Sequence, residues 1–452
     1  MLRVFQHYVS ARKLGYFAAE TATLALAATL GAGLGAWTWA TPGGAGPAKG
    51  AGPWVYLVLA VAVAALVQGA LYLMDLYDLR VAQSDRSRGE RLLRATGGAV
   101  AIFSLVMVMR LSGGTGPLPV GATLGAAVGA LCGLLLVRGA LPGLMGAPQA
   151  VLVVGGDRAA QAAVRALEES GEGAWRAIPV SASDARGTRL ASLARTHQAR
   201  HVVLSPGAER DSTLSAALLT CRLQGCDVYE AGAFCERTLR RLPVDCLRAT
   251  DLEQTSSGAG GLPKRIFDVV MAGTLLVLAL PVGLLVAAII RLTDGGPVFY
   301  RQERVGQWGR SYRLWKFRSM RTDAERDGAV WARANDDRIT PIGRFIRKTR
   351  IDEIPQVLNV LLGDMSFVGP RPERGVFVEQ LKTQIPFYAH REAVKPGITG
   401  WAQIRYPYGA SVEDARNKLE YDLYYVRNAS LFLDMAIIFH TVRHVLTARG
   451  AR

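Results

Sequence analysis

Two adjacent carboxylates, Asp352 and Glu353, stand just after a basic run of Arg344, Arg347, Lys348 and Arg350. Carboxylates in a cationic field suit phosphate chemistry: the cations hold anionic oxygens, and a carboxylate can serve as nucleophile or metal ligand. Polar residues precede the pair, Pro355 follows it, and Val357, Leu358, Val360, Leu361 and Leu362 lead to Gly363. This pattern predicts a helix that starts at the pair, has Pro355 in its first turn and stops at Gly363. The positive end of such a helix favours a carboxylate and a bound phosphate alike. Adjacent residues at a helix start can diverge, one toward substrate and one toward a metal. An N-cap followed by a first-turn acid produces the same pattern, so the pair alone leaves both readings open.

Other residues suit the same chemistry. Arg371 lies between Pro370 and Pro372, which stiffen its presentation. Arg347 and Arg371 are candidates for phosphate or nucleotide contacts, because a guanidinium matches phosphate in a bidentate way. Either could also be a solvated surface arginine. Pro396, Gly397, Thr399 and Gly400 form a loop whose amides could meet an anion, or simply a tight turn. Asp422 could touch substrate or orient a basic residue.

These residues need an element to carry them to their substrates. Val269–Ile290 is apolar and long enough to span a bilayer, which takes ~20 residues. Lys264 and Arg265 flank it on one side; Arg291, Arg301, Arg304, Arg310 and Arg313 follow on the other. A span would put one basic flank on the wrong face. A re-entrant hairpin, entering and leaving by one face, removes the conflict. Pro281 deletes a backbone donor and predicts the bend. A kinked span is the alternative reading.

Four earlier apolar stretches, 16–38, 53–73, 95–111 and 118–137, alternate with loops whose basic residues alternate in density. That alternation predicts a four-helix transmembrane bundle over residues 1–138, with everything after 138 cytoplasmic. No cleavable leader is expected, because the first apolar stretch is long. Ala150–Val154, His201–Leu204 and Asp227–Tyr229 read as buried strands, which predicts a cytoplasmic α/β Rossmann-like domain over 139–250. Its turn, Gly155-Gly156-Asp157, lacks the second glycine of a dinucleotide fingerprint. A Ser/Gly-rich linker covers 251–262, and a mainly α-helical domain, with its re-entrant helix at 264–290, fills 263–452. The five cysteines have no metal-site spacing and fit a reducing compartment. Half the residues are hydrophobic and the net charge is +16, which calls for an anionic partner without choosing one.

Several segments of the last domain occur together and in order: Gly296–Gly306, Lys316–Met320, Asp337–Gly343, Arg347–Gln356, Gly363–Pro372, Lys395–Gln403 and Glu420–Tyr425. Together they resemble the bacterial sugar transferases, the monotopic polyprenyl-phosphate phosphoglycosyl transferases. The whole chain resembles the long members that begin exopolysaccharide or O-antigen synthesis. The resemblance implies a membrane enzyme of the bacterial inner membrane, with its catalytic domain on the cytoplasmic face. It would move a hexose 1-phosphate from a UDP-sugar to undecaprenyl phosphate and release UMP. Asp352 would be the nucleophile, forming a covalent phosphosugar intermediate, and Glu353 would hold Mg²⁺. A homodimer is implied, and an unmodified hexose such as glucose or galactose is the expected sugar. Many members place serine before the proline of the re-entrant helix; here Leu280 stands there, so the bend must be held differently.

Two other classes compete. A non-enzymatic scaffold of a polysaccharide export complex would keep the membrane bundle but does not account for Asp352-Glu353 among ordered motifs. An NAD-dependent oxidoreductase or epimerase needs the missing glycine. No nucleic-acid recognition module is present, and the basic residues sit beside membrane segments.

Overall fold

The computed structural model describes residues 2–4, 7–9, 11–38, 61, 68, 128–130, 132–133, 149–169, 175–185, 188–206, 208, 212–252, 260–322, 324, 338–406, 409 and 411–446. The chain divides into two compact units, residues 1–149 with 168–176 and residues 150–167 with 177–452. In the first, strands β1 (Leu2–Val4) and β2 (His7–Val9) pair antiparallel ahead of helix α1 (Ala11–Thr38). Glu20, Leu24 and Ala28 repeat every fourth residue on α1 and are buried, whereas Leu26, Leu30 and Leu34 are exposed. The expected membrane stretches at 53–73, 95–111 and 118–137 fall outside the described residues except for scattered positions.

The second unit opens with an α/β layer. Strands β3 (Gln149–Val154), β4 (Trp175–Val180), β5 (His201–Leu204) and β6 (Asp227–Glu230) form a sheet in the order β4-β3-β5-β6. β3, β5 and β6 run parallel, and β3 is buried along nearly its whole length, as a strand covered on both faces must be. At the turn after β3, Gly155 has φ +135, and a Cβ there would lie 2.3 Å from the Ser205 hydroxyl. Asp157 accepts from the Ala160 amide at 2.9 Å and the Ser205 hydroxyl at 2.6 Å. Its carboxylate therefore closes the N-terminus of helix α2 (Arg158–Glu169), the place where a dinucleotide fold puts a phosphate.

Helices α3 (Arg189–Thr196) and α4 (Ser212–Leu223) complete this layer, and α5 (Ala231–Leu239) leads out of it. The next segment enters the C-terminal core: Leu242 and Val244 pack with Trp401, Leu419 and Leu423. Arg241 pairs with Glu420 and donates to Asn417 at 2.7 Å; the Val244 amide donates to Glu420 at 3.1 Å. Burial pushes the Glu420 carboxyl up, and Arg241 opposes it. Replacing Arg241 with Met would strand this carboxylate, at a cost of about 3–5 kcal/mol for a broken buried pair. A clear drop in the thermal-inactivation midpoint of detergent-purified protein is the expected result.

Helix α6 (Leu262–Asp294) dominates the C-terminal part and ends at Gly295, φ 64. Among the described residues it is the one helix long and apolar enough to cross a membrane. It is continuous through Pro281, where a break was expected: one amide is lost, and the rest of the hydrogen-bond ladder carries on. Its N-terminal half packs through Ala272 against Leu314, Val357 and Met365. Its C-terminal half packs through Val286 and Ile290 against Phe317 and Ile346. Between these contacts Val277, Leu278, Leu280, Val282, Leu284 and Leu285 are 42–71 % exposed.

Lys264 and Arg265 differ from the expectation that they flank lipid. Lys264 is 6 % exposed and lies between Asp268 at 3.1 Å and Asp434 at 2.8 Å. Arg265 donates to the carbonyls of Val360 at 2.6 Å and Leu361 at 2.8 Å. Both turn inward because acceptors there, carboxylates and helix-end carbonyls, would otherwise be left unmatched.

Beyond α6, strands β7 (Phe299–Val305) and β8 (Ser311–Phe317) form an antiparallel hairpin. Helix α7 (Pro341–Lys348) starts at Thr340, whose hydroxyl accepts from the Gly343 amide. A 3₁₀ turn, Ile351–Glu353, separates α7 from α8 (Gln356–Leu362). Strand β9 (Ser366–Val368) pairs in parallel with β10 (Gly397–Thr399), and α9 (Gly375–Gln384) lies between them in sequence. Helices α10 (Trp401–Arg405), α11 (Val412–Asn428) and α12 (Leu431–Leu446) follow; Ser411 and Asp414 form a capping box at the start of α11.

Candidate active site

Asp352 and Glu353 sit one short turn ahead of the helix they were expected to begin. Arg350, at φ 62, reverses the chain after α7, and the pair occupies the 3₁₀ turn that follows. Pro355 is the N-cap of α8 rather than part of its first turn, and Gly363 ends that helix in the left-handed conformation at φ 96. Asn359 on α8 is fully buried. It accepts from the Trp315 amide at 3.0 Å and donates to the Arg313 carbonyl at 2.8 Å. This staple fixes β8 beside the pair and so places Lys316.

Both carboxylates are buried, and their environments differ. Three cations meet Glu353 at the same oxygen, Oε1: Arg371 at 2.8 Å, Lys316 at 3.1 Å and Arg350 at 3.8 Å. Burial pushes the Glu353 carboxyl up, but Arg371, Lys316 and Arg350 outweigh it and hold it well below the usual carboxylate range. Asp352 is 7 % exposed, and its Oδ1 has no hydrogen-bond partner. Burial raises its pKa and the Glu353 charge adds to the rise; Lys316, Arg347 and Arg350 oppose it. One carboxylate is thus locked as an anion by its neighbours. The other is buried, has one oxygen without a hydrogen-bond partner and lies close to cations.

A family model described as bacterial sugar transferase matches residues 260–448. The chain is 44 % identical over 236 residues to the UDP-N-acetylgalactosamine-undecaprenyl-phosphate N-acetylgalactosaminephosphotransferase of Aeromonas hydrophila, covering 52 % of this chain and 56 % of that protein. It is 43 % identical over 188 residues to the UDP-glucose:undecaprenyl-phosphate glucose-1-phosphate transferase of Escherichia coli K12, covering 41 % and 40 %. Against the exopolysaccharide production protein PSS of Rhizobium leguminosarum bv. phaseoli it is 44 % identical over 193 residues, covering 41 % of this chain and 95 % of the relative. The chain belongs to the bacterial sugar transferase family. The match spans only about half of the Aeromonas protein and less of the E. coli one.

In this bacterial sugar transferase the expected site residues divide into two groups. Arg371 and Arg347 join the pair, Arg371 by direct contact and Arg347 through its charge on Asp352. Pro396, Gly397, Thr399 and Gly400 do not offer an open anion cradle. The Gly397 amide donates to the Pro370 carbonyl, the Ser366 amide to Pro396 and the Gly369 amide to Thr399, each at 2.9 Å. A Cβ at Gly397 would lie 2.0 Å from the Gly369 nitrogen, and one at Gly400 would lie 2.2 Å from the Gly369 oxygen. These glycines let two backbones approach closely, and so they hold Pro370 and Arg371 in place. Asp422 is buried and accepts from Arg391 Nη2 at 2.9 Å and Nε at 3.2 Å, so it orients a basic residue.

Sequence reasoning assigned no individual role to Lys316 or Arg391, and it gave Arg350 a phosphate-holding charge within the basic run rather than a contact with Glu353. A signal existed for Arg391: α11 carries Glu420 and Asp422 within a buried apolar run, and buried carboxylates require buried cations. The pattern could not say which cations.

Proposed function

We propose that this enzyme transfers a hexose 1-phosphate from a UDP-sugar to undecaprenyl phosphate and releases UMP, at the cytoplasmic face of the bacterial inner membrane. The reaction would be the first membrane step of exopolysaccharide or O-antigen synthesis. The observation that carries this reading is Asp352: a buried carboxylate with an unpartnered oxygen beside a fully matched neighbour.

In the first step an Asp352 oxygen attacks the sugar-bearing phosphorus. The bond from that phosphorus to the bridging oxygen breaks, and its electron pair leaves with UMP. In the second step a phosphate oxygen of undecaprenyl phosphate attacks the same phosphorus. The bond to Asp352 breaks and the carboxylate is restored. Lys316, Arg347, Arg350 and Arg371 supply positive charge for the donor's pyrophosphate. They remain fixed while charge shifts, so little reorganisation is needed.

Mg²⁺ fits these residues. The three cations on Glu353 each reach its Oε1. Among the described residues no three His, Cys, Asp or Glu side chains gather. Glu353 Oε2 would therefore hold the ion together with phosphate oxygens and water, as magnesium commonly binds. The ion would neutralise phosphate charge.

The membrane part of the proposal rests on α6. One face of α6 packs on the domain along its length, at Ala272, Ala279, Val286 and Ile290, while Val277, Leu278, Leu280, Leu284 and Leu285 on the rest of its surface are exposed. An unbroken helix whose exposed apolar face meets one leaflet accounts for this, and it keeps Asp352 at headgroup depth, where a soluble donor and a lipid acceptor meet. The architecture proposed is a transmembrane bundle, the α/β layer and this catalytic domain, assembled as a homodimer.

UMP release from a panel of UDP-hexoses and UDP-N-acetylhexosamines, with undecaprenyl phosphate and Mg²⁺ in nanodiscs, tests the reading. One donor should support release; no release from any donor by folded protein would favour the scaffold. The same assay has a pH signature. Asp352 must be ionised to attack, and its pKa is raised. kcat/KM should therefore fall as pH drops, with the acid limb above the range of an ordinary aspartate. A limb at or below that range would contradict the buried-nucleophile geometry.

A further inference from the structure

Arg371 reaches Glu353 from an unusual stretch of backbone. Pro370 and Pro372 have no amide hydrogen, so the Pro370–Pro372 segment has one backbone donor in three residues. The chain around it compensates through the carbonyls. Pro370 O accepts from the Gly397 amide at 2.9 Å, Arg371 O from Arg391 Nη2 at 2.8 Å and Pro372 O from Arg304 Nη1 at 3.2 Å. Three successive carbonyls are each held from a different element.

The middle tie is itself braced. Arg391, in the 3₁₀ segment Tyr388–Ala393, is about nine-tenths buried and presents its whole fork. Nε and Nη2 meet Asp422 Oδ2, Nη1 donates to the Tyr388 hydroxyl at 3.1 Å, and Nη2 also reaches the Arg371 carbonyl. Asp422 comes from α11 and is 2 % exposed. A planar guanidinium held at three points has little freedom, so the carbonyl it touches is fixed as well. On the far side of that peptide, the Arg371 guanidinium meets Glu353.

We infer that Arg391, locked by Asp422 and Tyr388, is a positioning residue for sugar-phosphate transfer: it fixes the Arg371 main chain so that the Arg371 guanidinium lands on Glu353 beside the nucleophile. The inference rests on the proposed function and reassigns Asp422 from substrate contact to support. It gives the Glu420–Tyr425 motif a mechanical task at a distance from the chemistry. Loss of the brace lets Arg371 drift. Glu353 then loses its strongest cation, and Asp352 loses a positive charge that favours its ionised form.

The test is a double-mutant cycle between Asp422→Asn and Arg371→Ala, read by UMP release. Tyr388→Phe serves as a milder brace variant that removes only a hydroxyl. Supporting groups of this kind typically affect activity roughly 10- to 100-fold. Asp422→Asn should lower kcat/KM by that much and raise the donor KM, because the displaced Arg371 guanidinium no longer meets the donor's pyrophosphate. Tyr388→Phe should raise the donor KM in smaller degree. In the Arg371→Ala background Asp422→Asn should add little, because the group it positions is gone. Full additivity in the cycle, or an unchanged donor KM with only a smaller active fraction, overturns the inference. If Asp422→Asn fails to fold, Tyr388→Phe combined with Arg371→Ala decides by the same criterion. A wild type that releases no UMP refutes the proposed function. An active wild type with a dead Asp352→Asn variant and an additive cycle refutes the brace alone.

Discussion

Asp352→Asn should abolish UMP release while leaving the fold intact. Asparagine matches aspartate in shape but has no anionic oxygen to bond to phosphorus. Removing a covalent nucleophile typically costs roughly 10⁴-fold or more in kcat, because the remaining groups cannot open another route. The structure sharpens the expectation in two ways. Asp352 carries a buried oxygen without a partner, so a neutral amide there strands no cation that it alone was neutralising. Arg371, Lys316 and Arg350 remain matched by Glu353, and Arg347 alone loses a neighbouring charge. Stability should therefore change little, which separates a chemical defect from a folding one. Without acceptor lipid, the wild type should release at most one UMP per active site and gain the mass of a hexose phosphate. The variant should do neither. A variant that still gave the single-turnover burst would move the nucleophile elsewhere. Glu353→Gln makes a useful contrast, since it keeps the nucleophile but loosens three cations. A partial loss with a raised donor KM is expected.

Some of this site was legible in the amino-acid order, and the reason is local. Gly363 reads as a helix stop because a left-handed residue is needed there, and it has φ 96. The strands β3 and β5 fall on short apolar runs, whereas β6, expected to be buried, is an edge strand that begins and ends on carboxylates and is exposed at Asp227. The position of Asp352-Glu353 relative to its helix was not legible. Pro355 was read as a first-turn residue, but Arg350 at φ 62 had already turned the chain, and no propensity announces an arginine in that region. The glycines of 396–400 show the same limit. Gly-rich loops suit both anion binding and close backbone approach, and only the pairing of β9 with β10 distinguishes them. The links from Arg391 to Asp422 and to Arg371 join residues 31 and 20 positions apart. Contacts of that kind arise from packing of separate elements and have no periodic signature.

Lys264→Met should destabilise the catalytic domain by about 3–5 kcal/mol, the usual cost of removing one partner from a buried ion pair. The ammonium stands between Asp268 and Asp434, both almost fully buried. Asp268 also accepts from the Ser366 hydroxyl and the Phe367 amide, each at 3.0 Å, and Asp434 accepts from the Tyr425 hydroxyl at 2.8 Å. These bonds tie the root of α6 to β9 and α12. Without the cation, two carboxylates share a dry site and repel. For a domain of this size each kcal/mol shifts the melting midpoint by roughly 2–4 °C, so the fall should be easily measured in detergent. Lys264→Met combined with Asp434→Leu should recover part of the loss, because it removes the repulsion between the two carboxylates and leaves Asp268 with its bonds from Ser366 and Phe367. The expectation from sequence alone was different: a flanking lysine at the lipid boundary would leave the midpoint unchanged and weaken membrane retention. The two outcomes are opposite in both readouts. The positive-inside argument counts charges that face headgroups, and a lysine held by two carboxylates is not one of them. The case for a membrane-facing α6 therefore passes from the basic flanks to the exposed apolar face of the helix, which runs unbroken through Pro281.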